Sequence, residues 1–182
     1  MALHTSDHSS APNLAAATQA ASDLLTALGI DLVEAGIERT PERVAHTLAE
    51  LLIRGDEPTA TLMPSDGYDG PITMRDIPFA GMCEHHLLPF RGTATVVYEP
   101  SESVVGLSTL VRVIEYFARG LQLQERMTTL VADWIERTLA PRGVGVRIEA
   151  EHFCMSMRGV GGPATRAETR ALRGTISAQD LA

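Results

Sequence analysis

Residues 144–152, Val-Gly-Val-Arg-Ile-Glu-Ala-Glu-His, contain the pattern that decides the fold. Apolar side chains recur at every second position from Val144 to Ala150, and charged side chains fill the alternate positions from Arg147 to Glu151. Successive side chains of a β-strand point to opposite faces, so this segment has one apolar and one polar face. Such alternation is typical of an antiparallel sheet with one face packed on a core.

The surrounding sequence supplies more strands and several helices. Thr- and Val-rich or apolar segments predict strands over residues 73–79, 92–99 and 172–176. Apolar periodicity predicts four helices, over residues 14–28, 40 to about 53, 108 onward, and 124–139. Thr40 is the predicted N-cap of the second helix and Ser108 that of the third. Helices followed by strands that enclose a helix pair predict an α+β fold, an antiparallel sheet with helices on one face.

Composition limits the class of protein. The chain has 182 residues, 45% of them hydrophobic, which suits one globular domain. We expect this domain over residues 13–182, with N-terminal helices at 13–55 and a catalytic core at 70–178. Residues 1–12 are expected to form a disordered tail. Apolar runs are shorter than a membrane span and the N-terminus has no signal pattern, so we expect a cytoplasmic protein. The net charge of −8 disfavours nucleic acid or membrane as a partner.

A metal-ligating pattern begins at Cys83. Cys83-Glu84-His85-His86 places a thiolate and an imidazole within reach of one ion, and zinc takes this ligand pair readily. Cys83, His86 and Cys154 would leave a fourth position open, as catalytic zinc sites do. The alternative is that Cys154 is a small buried apolar residue.

Four blocks of sequence carry a resemblance to a known family. CEHHLLPF (83–90), VVGLSTLVRV (104–113), LQLQERMT (121–128) and EHFCMSMRGV (151–160) resemble the GTP cyclohydrolase I family, as does Thr40-Pro41-Glu42-Arg43. The resemblance implies the tunnelling fold, N-terminal helices, and a ring-forming homo-oligomer, typically a decamer with active sites between subunits.

The resemblance also implies roles for individual residues. It implies that Cys83, His86 and Cys154 bind zinc, and that His85 and His152 transfer protons. It further implies that Glu125 and Gln124 contact guanine. The residues matched to the ribose and triphosphate side are Ser108, Arg112, Arg158 and Arg43.

These roles suit the hydrolysis of guanine at C8. Zinc-bound water is a nucleophile at neutral pH, and a histidine can protonate a nitrogen leaving group. A buried Glu125 can accept hydrogens from N1 and the 2-amino group of guanine, whereas adenine offers neither. The alternative is that Glu125 is a solvated residue in the first turn of a helix.

Several positions depart from the family pattern. Thr109, Thr93 and His46 stand where lysine is usual, and Gly81 where serine is frequent. Either other arginines compensate for the lost charge, or the substrate is a guanine compound with fewer phosphates.

The expected function is zinc-dependent conversion of GTP to formate and 7,8-dihydroneopterin triphosphate. There are three alternatives. The first is a diverged paralogue that opens the ring of a guanine compound with fewer phosphates. The others are a non-catalytic purine- or pterin-binding ring protein and a structural zinc module.

Overall fold

The computed structural model describes residues 11–158 and 165–182, so most of the predicted disordered tail lies outside the described residues. The chain forms two compact units, Met1–Arg54 and Gly55–Ala182. A single domain over 13–182 therefore stays a prediction. None of the helices in the described ranges is long and apolar enough to cross a membrane.

The N-terminal unit contains two helices, α1 (Leu14–Ala27) and α2 (Thr40–Leu52). The side chain of Asn13 caps α1 by accepting a hydrogen bond from the Ala16 amide at 3.0 Å. The N-cap of α2 is Arg39, so the prediction that Thr40 is the cap was wrong. Thr40 is instead the first helical residue, and its amide donates to the Ile37 carbonyl at 2.8 Å.

The second unit is built on a five-stranded sheet with the strand order β5-β2-β3-β6-β7. The strands of this unit are β1 (Leu62–Pro64), β2 (Ile72–Cys83), β3 (Pro89–Glu99), β4 (Ser103–Val105), β5 (Leu121–Gln122), β6 (Gly143–His152) and β7 (Ala167–Gly174). Strands β2, β3, β6 and β7 pair antiparallel as predicted. The short β5 pairs parallel with β2, and β1 forms a separate pair with β4.

Helices α3 (Leu107–Ala118) and α4 (Gln124–Leu139) cover the apolar face of the sheet. The predicted apolar positions of β6 are buried in one cluster with residues of both helices: Val144, Val146, Ile148, Ala150, Val113, Ile114, Met127, Trp134 and Ile135. This confirms the α+β fold with helices on one face. On the opposite face, Val97 packs with Ile176 and Leu181, which belongs to a 3-10 turn at Ala178–Leu181.

Several boundaries in this unit differ from prediction. Strand β2 extends to Cys83, past the predicted end at Phe79, and β3 begins at Pro89, before the predicted start at Gly92. Helix α3 begins at Leu107 and its N-cap is Gly106, so Ser108 is not the cap. Strand β7 ends at Gly174 and begins at Ala167, five residues earlier than the predicted start at Leu172. One further helical turn, α5 (Phe153–Ser156), follows β6 directly.

Candidate metal centre and active site

Three metal-ligating side chains meet at one end of the sheet. The ligand atoms of Cys83, His152 and Cys154 all lie within 4.8 Å of one another. The strand register explains this proximity, because β2 ends at Cys83 and His152, the last residue of β6, lies opposite Phe90 at the start of the intervening strand β3. Helix α5 begins immediately after His152 and carries Cys154 in its first turn.

The donor set suits a metal ion. Two thiols and one imidazole are ligands that zinc prefers, and fewer than four protein donors leave a position open. Burial and the neighbouring Cys83 raise the pKa of the Cys154 thiol, and the charge of Arg158 opposes this shift. A bound cation reverses such a shift, since it favours the thiolate. The cluster of Cys83, His152 and Cys154 is therefore a candidate metal site.

The loop after β2 places the other two histidines differently. The Cys83 amide donates to the Leu88 carbonyl at 2.9 Å, and the Leu87 amide donates to the Cys83 carbonyl at 3.0 Å. Both His85 and His86 are exposed on this loop, with ring centroids 6.3 Å apart. Within the described part of the chain, His86 does not belong to the cluster that contains the two cysteines. His152 occupies the third position there.

His152 is held on two sides. Its ring stacks on Phe90 with 4.9 Å between centroids and 6° between planes. Its Nε2 lies 2.7 Å from Oε1 of Gln124. Burial lowers the pKa of His152, and the charge of Glu125 partly opposes this effect.

Gly81 makes room for the ring on which His152 stacks. A Cβ atom at this position would lie 2.8 Å from the Phe90 ring and 2.9 Å from the Ala118 carbonyl oxygen. Contacts this short require a shift of the neighbouring atoms. The departure from serine therefore leaves Phe90 in its place against His152.

The predicted guanine contacts begin helix α4. Gln124 is 2% exposed, whereas Glu125 is exposed in the first turn of the helix. Glu125 lies close enough to His152 for its charge to act on that ring.

The residues predicted for the phosphate side lie on several elements. Ser108 and Arg112 are exposed on the first turns of α3, and Nη2 of Arg112 donates to Oγ1 of the buried Thr109 at 3.0 Å. Arg158 is exposed after α5, close enough for its charge to act on Cys154. Arg43 is exposed on α2 of the N-terminal unit.

An ion pair beside the site was missed in the sequence. Nη1 and Nη2 of Arg126 donate to the two carboxylate oxygens of Glu84 at 2.8 and 3.2 Å. Glu84 lies inside the Cys-x-x-His motif and Arg126 follows Glu125, but the sequence does not show that residues 42 positions apart pair.

These features define a class of protein: an α+β domain that carries a metal-ligating cluster and a helix-borne carboxylate at one end of its sheet. The sequence model of the family described as GTP cyclohydrolase I matches residues 17–181. The chain belongs to the GTP cyclohydrolase I family, and its α+β fold is the tunnelling fold expected from that resemblance.

Curated relatives named GTP cyclohydrolase 1 align over most of both chains. The protein from Hydrogenobaculum sp. is 45% identical over 152 residues, 84% of this chain and 84% of the relative. The Aquifex aeolicus protein is 44% identical over 158 residues, 87% of this chain and 86% of its own. The Streptococcus mutans protein is 44% identical over 160 residues, 86% and 83% respectively.

Proposed function

We propose that this protein hydrolyses the imidazole ring of GTP at C8, releases formate and forms 7,8-dihydroneopterin triphosphate. The observation that carries the proposal is the meeting of Cys83, Cys154 and His152 at the end of the sheet in a member of this family. The relatives' printed name supports GTP as the substrate.

Zinc is the proposed cofactor, with Cys83, Cys154 and His86 as its protein ligands. The Cys-x-x-His spacing of Cys83 and His86, and the exposure of His86 on its loop, support this choice. It leaves His152 available, although that ring lies beside both cysteines. When bound, zinc supplies a nucleophile at neutral pH by lowering the pKa of a coordinated water to about 7.

His152 and His85 are the proposed proton carriers. Burial lowers the pKa of His152, so its imidazole is neutral at neutral pH and can accept a proton. Once protonated, it can return that proton to the nitrogen that leaves C8. His85 is exposed on the loop after Cys83, where it can exchange protons with solvent.

Glu125 is the proposed specificity residue. Its carboxylate can accept hydrogens from N1 and the 2-amino group of guanine, which form a matched pair of donors. Adenine has neither donor at these positions and cannot make this pair of hydrogen bonds. The side chain of Gln124, which precedes it, is buried and lies 2.7 Å from Nε2 of His152.

Ser108, Arg112, Arg158 and Arg43 are the proposed contacts to the ribose and triphosphate. Arginine binds phosphate through two parallel N–H groups, so a small number of arginines can hold a triphosphate. The second candidate substrate is a guanine compound with fewer phosphates. Its support is Thr109, which is 3% exposed and hydrogen-bonded to Arg112 where lysine is usual.

A ring-shaped homo-oligomer, a decamer with active sites between subunits, is the proposed assembly. Strands β5 and β7 form the two edges of the five-stranded sheet. An edge strand presents backbone groups that can pair with another chain, so the sheets of neighbouring subunits can continue one another.

The proposed reaction is tested with purified, zinc-loaded protein. GTP, GMP and guanosine are supplied in parallel, and formate and the near-ultraviolet absorbance of a pterin are measured. We expect formate and pterin from GTP, and neither from the Cys83→Ala variant, because that substitution removes a proposed zinc ligand.

Each other outcome contradicts a definite part of the proposal. Formate without pterin would show that the enzyme stops after ring opening. Turnover of GMP or guanosine but not GTP would favour the second candidate substrate. No reaction with any of the three would favour a binding protein.

A further inference from the structure

The buried amide of Gln124 connects His152 to the interior of the protein. Its Nε2 lies 3.0 Å from the Ile148 carbonyl oxygen, 3.1 Å from the Ala167 carbonyl oxygen and 3.1 Å from Oγ1 of Thr169. Its Oε1 lies 2.7 Å from Nε2 of His152. The amide therefore has protein partners on both of its polar atoms.

The surrounding acceptors fix which way this amide points. Backbone carbonyls can only accept hydrogen bonds, so the group that faces Ile148 and Ala167 must be the NH2. The reverse orientation would place the amide oxygen against two carbonyl oxygens with no hydrogen between them. The Gln124 oxygen consequently faces His152.

The neighbouring hydroxyls agree with this orientation. Thr128 donates its hydroxyl hydrogen to the Gln124 backbone carbonyl at 2.7 Å. The 2.6 Å contact between the hydroxyls of Thr128 and Thr169 must then use the hydrogen of Thr169. Oγ1 of Thr169 thus accepts from the amide of Gln124, which needs an NH2 at that position.

An amide oxygen facing His152 determines where the imidazole carries its hydrogen. The oxygen can only accept, so the 2.7 Å contact requires a hydrogen on Nε2 of His152. A neutral imidazole has one N–H, so the lone pair lies on Nδ1. Stacking on Phe90 fixes the plane of the same ring.

We propose that Gln124 is a positioning residue that holds the His152 ring in the Nε2–H tautomer, with the lone pair on Nδ1. This rests on the role of His152 in the proposed function. It assigns the side-chain amide of Gln124 to His152, whereas the family resemblance implies a contact to guanine. Partners that orient a site histidine in this way typically change activity about 10–100-fold when removed.

The tautomer can be observed by neutron diffraction from deuterium-exchanged crystals of the full-length, zinc-loaded protein. Crystals in mildly alkaline buffer keep a free imidazole neutral. We expect deuterium on Nε2 of His152 and none on Nδ1. Deuterium on Nδ1 alone would overturn the proposal, and so would a Gln124 amide whose ND2 group faces His152.

Two leucine variants test whether Gln124 is the cause. Gln124→Leu removes the acceptor, so we expect the deuterium of His152 to be shared between Nε2 and Nδ1. We also expect kcat to fall about 10–100-fold with little change in KM. Gln122→Leu is the matched control, because Gln122 is also a fully buried amide and donates to the Phe117 carbonyl at 3.0 Å instead of contacting His152. We expect Gln122→Leu to leave the tautomer of His152 unchanged.

The outcomes separate this inference from the proposed reaction. A rise in KM for GTP with unchanged kcat in Gln124→Leu would indicate a substrate contact and overturn the positioning role. If Gln124→Leu does not fold, the wild-type neutron map still decides the tautomer. Lack of GTP turnover by the wild type would refute the proposed reaction, while the Nε2–H assignment would stand or fall on the neutron map alone.

Discussion

His86 and His152 differ in how the protein holds them. The ring of His152 is stacked on Phe90 and hydrogen-bonded to Gln124, so its position is fixed before any ligand binds. His86 is exposed on a loop between two strands, and core packing does not fix its ring. A fixed imidazole suits proton transfer, which depends on geometry, and the Cys-x-x-His spacing from Cys83 suits His86 to a ligand role.

Zinc content distinguishes the two histidines. We expect His86→Ala to lose most of its zinc after dialysis, because two cysteines alone hold the ion weakly. His152→Gln should retain one zinc per chain but lose turnover, since an amide cannot carry the proton. Elemental analysis by mass spectrometry, set beside the turnover number, gives both values. Full zinc in His86→Ala together with zinc loss in His152→Gln would make His152 the third ligand.

At the scale of elements, one ion pair ties the loop that carries His85 and His86 to helix α4. Arg126 and Glu84 are both about three-quarters buried, with 24% and 27% of their side chains exposed. The Glu84 amide also donates to the Gln122 carbonyl at 3.2 Å, which attaches the same loop to β5. The pair therefore sets the distance between the proposed zinc loop and Glu125, the residue before Arg126.

Removal of this ion pair should reduce activity. We expect Arg126→Met to lower kcat/KM for GTP. In the double variant Glu84→Gln/Arg126→Met, we expect the loss of activation free energy to be smaller than the sum of the losses in the two single variants. The expected coupling is about 0.5–3 kcal/mol. The double-mutant cycle is measured from kcat/KM for GTP.

Arg137→Met is the matched control on the same helix. Arg137 pairs with Glu57, but both side chains are largely exposed, 62% and 47%, and exposed pairs contribute little. Additive effects at Glu84 and Arg126, or an equal loss in Arg137→Met, would contradict a positioning role for the Arg126 pair.

Elements with a full hydrophobic period could be predicted from sequence, and shorter ones could not. Helix α4 spans Gln124–Leu139, as predicted, because its apolar stripe extends over four turns. Strand β5 has two residues and α5 has four, too few to show a period. Likewise, the N-cap of α3 is Gly106, which has no side chain to cap the helix, so the preference for a capping hydroxyl pointed to Ser108 instead.

The site shows the same limit. The sequence could predict that Cys83 and Cys154 meet, because the family blocks and strand ends place them together. The membership of His152 in this cluster depends on the pairing of Phe90 with His152 across β3 and β6. The environment of Gln124 depends on β7, which lies more than 40 positions along the chain. Neither relation can be read from spacing.

At the scale of the whole molecule, the proposed metal site joins distant parts of the chain. Cys83 ends β2 and Cys154 follows β6, and β3 lies between these strands in the sheet. A metal ion held by both cysteines binds only the folded sheet, so it stabilises the native state in proportion to the logarithm of its concentration over Kd. This stabilisation belongs to the unit Gly55–Ala182, which contains both cysteines.

Thermal unfolding should therefore depend on zinc. Trp134 is the only tryptophan of the chain and lies in the core of the second unit at 1% exposure, so its fluorescence reports the unfolding of that unit. A zinc concentration 100 times Kd contributes about 2.7 kcal/mol, which should raise the midpoint by several degrees. Chelator should remove the increase in the wild type, and Cys154→Ala should show no response to either treatment. A midpoint that zinc leaves unchanged in the wild type, or raises equally in Cys154→Ala, would mean that the two cysteines do not share the ion.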